Sequence, residues 1–370
     1  MSSKLEKKAI ICTVSELATD YRLHKLALTL SECGYNTTFL CRKKKNLISN
    51  HRIESKTIYL NTIWQKGPQF YLIFNLRIFF YLLFRKYDLI VSVDLDTLTG
   101  CSLGRILKKN TLLFDSHEYF PEVPEIQHKL WIKNIWLTAE RLFVPGIDYG
   151  VTVCQSIANI YKDKYNKDFL VIRNAPLSSR IIDVNDLQTK SGNPFTLIYQ
   201  GAVNHGRALK ELIDAMRILE DIKLLIVGDG DLLNELKERS NDLGDKITFV
   251  GKVPFQELPK YTAQADLGIA LLENIGLNNY YALPNRLFDA LQAQLPILGV
   301  NFPEIERFIN KYEFGTVISD ISPQNIAKNI NEIRETPSLI KTWKENAIKA
   351  RRLVNWENET IELKEILSTD

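Results

Sequence analysis

Short apolar segments rich in β-branched residues alternate along the chain with longer segments of helical periodicity. In the first half the strand-like segments are KAIICTV, NTTFLC, TIYL, DLIVSV, TLLFDS and YGVTVC, and in the second half they are FTLIYQG, IKLLIVG, KITFVG, ADLGIAL, LPILGV and GTVI. Strands that alternate with helices are typical of parallel sheets covered by helices. The pattern therefore predicts an α/β protein built from two successive α/β units.

A segment rich in Pro, Gly, Ser and Asn, RNAPLSSRIIDVNDLQTKSGNPF, separates the two halves and has the composition of a linker. A helical segment, roughly 337 to 367, follows the second unit. We predict an N-terminal domain over 1–185, a second domain over 186–345, and a C-terminal helical segment over 346–370. In open α/β sheets ligands bind beyond the carboxyl ends of the strands, so functional residues are expected there.

Composition narrows the class of protein. The chain has 370 residues, of which 45% are hydrophobic and 25% are charged, as in soluble globular proteins with a large core. Its five cysteines form no CxxC pair, which argues against a disulfide framework or a zinc site and favours a reducing cytoplasm. The sequence lacks a signal-peptide pattern and has no run of 18 apolar residues, so we expect no membrane span.

The net charge of +3 conceals an asymmetry between the two halves. Residues 1–185 contain 26 Lys and Arg against 17 Asp and Glu, and the remainder contains 21 against 27. The basic half includes the run at 42–45 and the aromatic segment FYLIFNLRIFFYLLFRKYD. That segment is either a buried domain helix or an interfacial helix that contacts an anionic membrane or a lipid acceptor. No nucleic-acid-binding motif accompanies the charge, and nucleic acid is not an expected partner.

The segment LPNRLFDALQA predicts an anion site. Pro284 begins a helix, because that position tolerates a missing N–H, and Asn285 and Arg286 follow it. The free N–H groups of the first turn, together with Arg286, suit a phosphate. Asp289, one turn further on, is either a ribose-binding carboxylate or a solvated carboxylate favoured by the helix dipole.

A second segment, IYQGAVNHGRALKELIDAM, supports the same chemistry. It predicts a strand that ends at Gly201, a loop that contains Gly206, and a helix that begins near Arg207. A cation beside a glycine-containing loop is a plausible diphosphate clamp.

These segments, with LLIVGDGDLLNELK, ITFVGKVPFQELPKYTAQADLGIALL and YYALPNRLFDALQAQLPIL, resemble the donor-binding domain of retaining glycosyltransferases of the GT-B fold, glycosyltransferase family 4. In the first half, DYRLHKLALTLSECGYNTTFLC, YDLIVSVDLDTLTG, LLFDSHEYFPE and VIRNAPL resemble the family's other domain. The resemblance implies two Rossmann-like domains facing a central cleft. Residues 1–185 would form the acceptor-side domain and residues 186–345 the donor-binding domain, with the segment 346–370 packing back on the N-terminal domain. It also implies a UDP-sugar or GDP-sugar donor, no required metal or further cofactor, and a saccharide or lipid-linked acceptor, with the enzyme in the cytoplasm or at the inner face of the membrane.

The resemblance also implies roles for individual residues. Arg207 corresponds to the basic residue that holds the donor diphosphate, Asp289 to the glutamate that binds the ribose, and His117 to a histidine near the transferred sugar. The loop 278–285 would wrap the donor through backbone N–H groups. The remaining implied donor contacts are Gly201 at the strand end, Gly251, Lys252 and Val253 at the nucleobase, and Asn279, Tyr280, Leu283, Pro284, Asn285 and Arg286 around the sugar and phosphates.

The sequence departs from the family pattern at three positions. In the Glu-x7-Glu motif Asp289 replaces the second glutamate and Tyr281 the first, and Ala202 replaces an arginine that often follows the first glycine. Arg286 or Lys252 is expected to compensate for Ala202. Two alternative functions remain: a nucleotide-sugar epimerase of the same fold that uses His117 and Glu118, and a non-catalytic nucleotide-sugar-binding subunit.

Three other patterns favour structural roles. Gly228 and Gly230 form a G-x-G pattern without the third glycine of a dinucleotide site. The acidic pairs at 94–96 and 229–231 follow predicted buried strands and have no third metal ligand nearby in sequence, so we interpret them as strand-end loops. His117 is not part of an HExxH motif, and a metal site there is not predicted.

Overall fold

The computed structural model describes residues 7–17, 20–42, 55–106, 108, 110–180, 194–254 and 257–369. The chain divides into two compact units. The first unit comprises Met1–Arg173 and Glu359–Asp370, and the second comprises Asn174–Asn358. The second unit is therefore contiguous in sequence, whereas the first is made from two separate parts of the chain.

The first unit contains a seven-stranded parallel sheet in the order β3-β2-β1-β4-β5-β6-β7. The first strand of the chain, β1, lies inside this sheet, and the last strand of the unit, β7, lies at its edge. The strands are β1 (Lys7–Thr13), β2 (Tyr35–Arg42), β3 (Lys56–Leu60), β4 (Leu89–Val93), β5 (Thr111–Ser116), β6 (Tyr149–Thr152) and β7 (Phe169–Val171). The helices that connect them are α1 (Tyr21–Glu32), α2 (Pro68–Leu83), α3 (Leu95–Arg105), α4 (Leu130–Phe143) and α5 (Gln155–Tyr165).

The second unit contains a six-stranded parallel sheet in the order β10-β9-β8-β11-β12-β13. Its strands are β8 (Phe195–Gln200), β9 (Ile222–Val227), β10 (Ile247–Gly251), β11 (Leu267–Ala270), β12 (Ile297–Val300) and β13 (Gly315–Ile318). Its helices are α6 (Leu209–Ile218), α7 (Leu233–Arg239), α8 (Leu258–Thr262), α9 (Gly276–Tyr280), α10 (Asn285–Gln292), α11 (Pro303–Tyr312), α12 (Pro323–Arg334) and α13 (Pro337–Ala350). The short α14 (Trp356–Glu359) reaches the unit boundary and is followed by α15 (Ile361–Thr369) in the first unit. Both sheets have the strand order of Rossmann-like folds, so the predicted α/β class is confirmed.

The unit boundaries differ from the predicted domain limits of 1–185, 186–345 and 346–370. The segment predicted as one C-terminal element is divided between the units, because Trp343, Ala347 and Ala350 of α13 are buried in the core of the second unit. Of this C-terminal segment, only the residues from Glu359 onward belong to the first unit. There Leu363 and Leu367 are fully buried, which ties α15 to that unit.

Helix α2 is buried on one side only. Phe70, Phe74, Ile78 and Leu82 recur every four residues and are buried. Side chains at that spacing share one face of a helix, and this face packs on α3. The sequence is apolar all round and could not indicate which side is covered. Among the described helices none is long and apolar enough to cross a membrane.

Candidate active site

Three glycines lie where β8, β9 and β10 end, at the carboxyl edge of the second unit's sheet. The N–H of Gly201 donates to the carbonyl of Val227 at 3.0 Å, and the N–H of Gly228 donates to the carbonyl of Gly251 at 2.9 Å. A Cβ on Gly228 would lie 1.8 Å from the carbonyl oxygen of Gly201. Glycine is therefore required at Gly228 for the close approach of two backbones.

The loops that follow β8 and β9 bind one another. The N–H of Val203 donates to the carbonyl of Asp229 at 3.0 Å, and that of Asp231 donates to Oδ1 of Asn204 at 3.1 Å. A Cβ on Gly230 would lie 2.2 Å from the same Asn204 oxygen. The glycine pattern at 228 and 230 thus serves loop packing, in agreement with its structural interpretation.

The loop before Arg207 is held in place by polar contacts. The amide nitrogen of the buried Asn279 donates to the carbonyl of Gly206 at 3.2 Å, and the N–H of Glu273 donates to the same carbonyl at 3.1 Å. The carboxylate of Glu273 accepts from the N–H of Ala208 at 3.2 Å. Asn279 was predicted to contact the donor. In the structure its side-chain amide binds the loop that precedes Arg207.

Arg286 lies in the first turn of α10 and is buried. Its guanidinium carbon lies 4.4 Å from the centre of the Tyr199 ring, and the Tyr199 hydroxyl donates to the carbonyl of Ala202 at 2.6 Å. Burial lowers the pKa of Arg286, and the neighbouring charge of Arg207 acts in the same direction. Two arginines thus lie near each other at this edge of the sheet, where their charges repel.

Both arginines have buried N–H groups that lack an acceptor. Nε of Arg207 and Nη1 of Arg286 have no hydrogen-bond partner among the residues that the structure describes. A buried cationic donor without a partner is costly, and a bound anion would satisfy both groups and offset their repulsion. The site is therefore suited to a phosphate or diphosphate.

Helix α10 begins where the sequence predicted. Pro284 is its N-cap residue, and no side chain caps the free N–H groups of the first turn. Asp289 lies in the second turn, is half-buried, and raises the pKa of Arg286. Because Asp289 lies beyond the first turn, the helix dipole favours its charge only weakly, and both interpretations of Asp289 stay predictions.

The other predicted donor contacts are spread along the same edge. Lys252 is exposed and Val253 half-buried in the loop after β10. Tyr280 is half-buried, with its ring centre 5.1 Å from that of Phe302, and Leu283 packs against the core of the unit. The exposed Asn285 accepts from the amide nitrogen of Asn174 at 3.0 Å.

In the first unit, His117 follows β5 and is held between two carboxylates. Its Nε2 lies 2.9 Å from Oδ2 of Asp115, its backbone N–H donates to Oδ1 of Asp94 at 2.8 Å, and its Nδ1 lies 3.9 Å from Oδ2 of Asp94. Burial opposes protonation, but Asp115 and then Asp94 raise the pKa of His117 to about 9. At neutral pH the imidazole is therefore positively charged.

Asp115 also binds a buried arginine. Nη2 of Arg22 donates to Oδ1 of Asp115 at 2.7 Å, and Nη1 of Arg22 donates to the carbonyl of Ile172 at 2.7 Å. Burial alone would raise the pKa of Asp115, but the charges of Arg22 and His117 hold it well below its usual range. The sequence analysis did not identify Arg22, Asp94 or Asp115 as site residues. The spacing of Asp115 and His117, two residues apart at a strand end, was the available signal, because such side chains point to the same side.

Asp96, in the first turn of α3, is a further buried acid at this edge. Its Oδ1 has no partner among the described residues, and burial followed by the charge of Asp94 raises its pKa well above the usual range. The structure places the acidic pair at 94–96 in two different settings, since Asp94 binds His117 and Asp96 lies in a helix. Among the described residues no group of three His, Cys, Asp or Glu side chains could hold a metal ion. The five cysteines, all among the described residues, form no disulfide.

The charge of His117 predicts a pH-dependent stability. Its folded pKa of about 9 lies above the ordinary value of 6.5, so this contribution is fully present below pH 6.5 and is lost as the pH rises to 9. We expect the free energy of unfolding of the wild type to fall by roughly 1–3 kcal/mol across this window, relative to His117→Asn. Urea unfolding of both proteins at several pH values measures the difference. Parallel profiles would rule out a charged His117.

Comparison with known proteins agrees with the fold. Residues 184–350 match the family Glycosyl transferases group 1. An uncharacterised glycosyltransferase of Methanocaldococcus jannaschii is 24% identical over 314 residues, which cover 80% of this chain and 79% of that protein.

Solved structures resemble the whole chain. Sucrose-phosphate synthase from Thermosynechococcus elongatus superposes with a TM-score of 0.77 at 17% identity and covers 98% of both chains. Anabaena HepE in complex with UDP-glucose superposes with a TM-score of 0.75 at 16% identity and covers 98% of this chain and 100% of its own. At identities this low, the superpositions establish the fold alone. The family match lies on the unit that carries Arg207 and Arg286. The chain has the GT-B fold, and residues 184–350, which lie within its second unit, match the family Glycosyl transferases group 1.

Proposed function

We propose that the protein transfers a sugar from a nucleotide diphosphate sugar to a saccharide or lipid-linked acceptor, with retention of the anomeric configuration. The observation that carries the proposal is the pair of buried, unpartnered N–H groups on Arg207 and Arg286. They lie at the carboxyl edge of a parallel sheet, where α/β proteins bind ligands. A diphosphate has both the charge and the number of oxygens to accept from both arginines.

The leaving group of such a transfer is the nucleotide diphosphate, on which negative charge grows as the sugar departs. Arg207, Arg286 and the uncapped N-terminus of α10 would stabilise that charge. The acceptor oxygen forms the new bond to the anomeric carbon while the bond to the phosphate oxygen breaks. The acceptor proton passes to the departing phosphate on the same face of the sugar.

The protonation state of His117 is consistent with the departing phosphate, and not a side chain, accepting the acceptor proton. An imidazole with a pKa of about 9, already paired with Asp115, is a poor proton acceptor at neutral pH. We therefore assign it an electrostatic role toward the reacting sugar and not that of the general base. Asp94 and Asp115 are positioning residues that keep it charged and fix its ring.

The central experiment incubates the full chain with a panel of UDP-sugars and GDP-sugars and measures free nucleotide, with and without an acceptor extract. UDP-glucose is tested first, since the similar Anabaena structure holds it. Release of nucleotide that needs acceptor and persists in EDTA supports the proposal. Conversion of the donor sugar without nucleotide release would indicate the epimerase instead, and donor binding without turnover would indicate the non-catalytic subunit. Loss of turnover in EDTA that magnesium or manganese restores would overturn the metal-free mechanism.

Asp289→Asn tests the proposed ribose contact. The amide keeps the size of the side chain but removes the charge that strengthens acceptance from two hydroxyls, so donor affinity should fall by roughly 1–3 kcal/mol. Calorimetry with the nucleoside diphosphate and a melting curve of the same variant measure the effect. A lowered melting temperature with unchanged nucleotide affinity would contradict the ribose role.

We place the enzyme in the cytoplasm, at the inner face of the membrane. Five cysteines that form no disulfide are consistent with a reducing compartment, and a lipid-linked acceptor would be reached at the bilayer surface.

A further inference from the structure

The outward side of α2 carries a row of exposed apolar side chains. Leu72, Leu76 and Phe80 recur every four residues, opposite the buried side of the helix, and are each about half exposed or more. Phe84, directly after the helix, is 80% exposed. These side chains are exposed and are not part of the buried core of the unit.

Helix α4 has a second group of the same kind. Leu130, Trp131, Ile135 and Leu142 are exposed, while Trp136 faces inward and is buried. Isolated apolar residues on a surface are ordinary, but eight on two helices are not.

The two helices lie on the same side of the sheet. The connections from β3 to β4 and from β5 to β6 advance in the same direction across the sheet, and right-handed crossovers place both helices on one face. Both pack against α3, and the rings of Tyr71 and Trp136 meet edge to face with their centres 5.1 Å apart. We call the eight exposed side chains of the two preceding paragraphs the α2–α4 face.

The exposed charged residues on α2 and α4 themselves are all basic, and the exposed acids Asp88 and Glu125 lie outside the two helices. Arg77, Arg85 and Lys86 are exposed on and after α2, and Lys129 and Arg141 are exposed at the two ends of α4. Helices α2 and α4 are described in full, and their only acidic residue, Glu140, is buried. Helices that expose apolar and basic side chains but no acid are the pattern of a surface that binds anionic lipid.

We propose that the α2–α4 face docks the protein on the surface of an anionic phospholipid bilayer. The apolar side chains would enter the boundary between headgroups and acyl chains, and the arginines and lysines would contact the phosphates. The exposed Trp131 suits this boundary, where tryptophan is enriched. The contact is peripheral and does not depend on the donor chemistry.

The charge pattern favours a bilayer over a second copy of the chain. A twofold dimer places identical patches against each other, and here that would bring five cations into contact with the same five cations. Arg42 extends the basic character toward the start of α2, with its guanidinium carbon 5.4 Å from the centre of the Phe70 ring. Residues 43–45 of the predicted basic run lie outside the described residues.

The test is flotation of the full chain with vesicles of phosphatidylcholine alone or with an equal share of phosphatidylglycerol. We expect the protein to float with the anionic vesicles at low salt and to be released at high salt. The triple variant Leu72→Ser, Leu76→Ser and Phe80→Ser should lower the partition constant at least about tenfold. The matched triple variant Ile218→Ser, Leu339→Ser and Leu353→Ser removes exposed apolar residues from the second unit and should leave it within about twofold.

Tryptophan quenching by brominated anionic lipids is an independent readout. In a Trp64→Phe background, which removes the other exposed tryptophan among the described residues, Trp131 should be quenched. Adding Trp131→Phe should then remove most of the quenching, because Trp136, Trp343 and Trp356 are buried. Protein that stays at the bottom with anionic vesicles at low salt overturns the proposal. So does a dimer in sedimentation velocity that the first triple variant dissociates, because the face would then join two copies.

Discussion

Arg207→Met should lower the affinity for a nucleoside diphosphate by roughly 1.5–3 kcal/mol, or about 10-fold to 150-fold, while leaving the ligand-free protein as stable as the wild type or more so. The two effects have opposite signs for one reason. Without a ligand, Arg207 is a charge near Arg286 with an unsatisfied buried donor, and methionine removes both penalties. With a ligand, the same donor contributes a charge-assisted hydrogen bond.

Calorimetry with UDP and GDP, together with urea unfolding in the absence of nucleotide, measures the two quantities. Lys223→Met is the matched control, since Lys223 is an exposed cation in β9, near the opposite edge of the same sheet. It should change neither quantity by more than about 0.5 kcal/mol. Unchanged nucleotide affinity in Arg207→Met would remove the diphosphate clamp from the proposed function.

His117→Ala should reduce kcat by about 10²–10³ while nucleotide affinity stays within about twofold of the wild type. The imidazolium lies in the first unit, whereas the proposed diphosphate site is formed by residues of the second. The variant therefore removes positive charge from the reaction without touching the groups that hold the nucleotide. Steady-state nucleotide release in the presence of acceptor gives kcat, and calorimetry gives the affinity.

Two variants accompany this measurement. His128→Ala removes an exposed histidine from the same unit and should be silent. Asp94→Asn keeps the imidazole but removes one of the two carboxylate charges that raise the pKa of His117. The upper pH limit of activity should therefore move to lower pH. If Asp94→Asn leaves the pH profile unchanged, Asp94 is structural and does not act through His117.

The alternation of apolar segments was sufficient to predict both sheets because central strands such as β4, β11 and β12 are buried on both faces and form continuous apolar runs. Strand β7 was not predicted, because it has three residues and only one buried side chain, and such a run is too short to stand out. For helix α2 the apolar pattern was easy to see but did not indicate which side is buried. Its sequence is apolar on every side, and only packing on α3 distinguishes the covered row from the exposed one.

Predictions for the site depended on how local each feature is. Arg286 at the start of α10 was identified because a helix N-terminus is encoded within a few residues. His117 is held by Asp94, after β4, and by Asp115, at the end of β5, and Asp115 in turn binds Arg22 of α1. Periodicity could not bring these three elements together. The stacking of Arg286 on Tyr199 is equally non-local, since 87 residues separate the two along the sequence.

The interrupted sequence of the first unit has a consequence for synthesis on the ribosome. The second unit, Asn174–Asn358, is complete before α15 has been made, although it begins 173 residues after the first. The buried Leu363 and Leu367, and the ion pair of Lys364 with Glu32 at 2.7 Å, are added to the first unit only afterwards. We therefore expect the nascent chain to finish its later unit first and its earlier unit last, and the earlier unit to wait with part of its apolar surface uncovered.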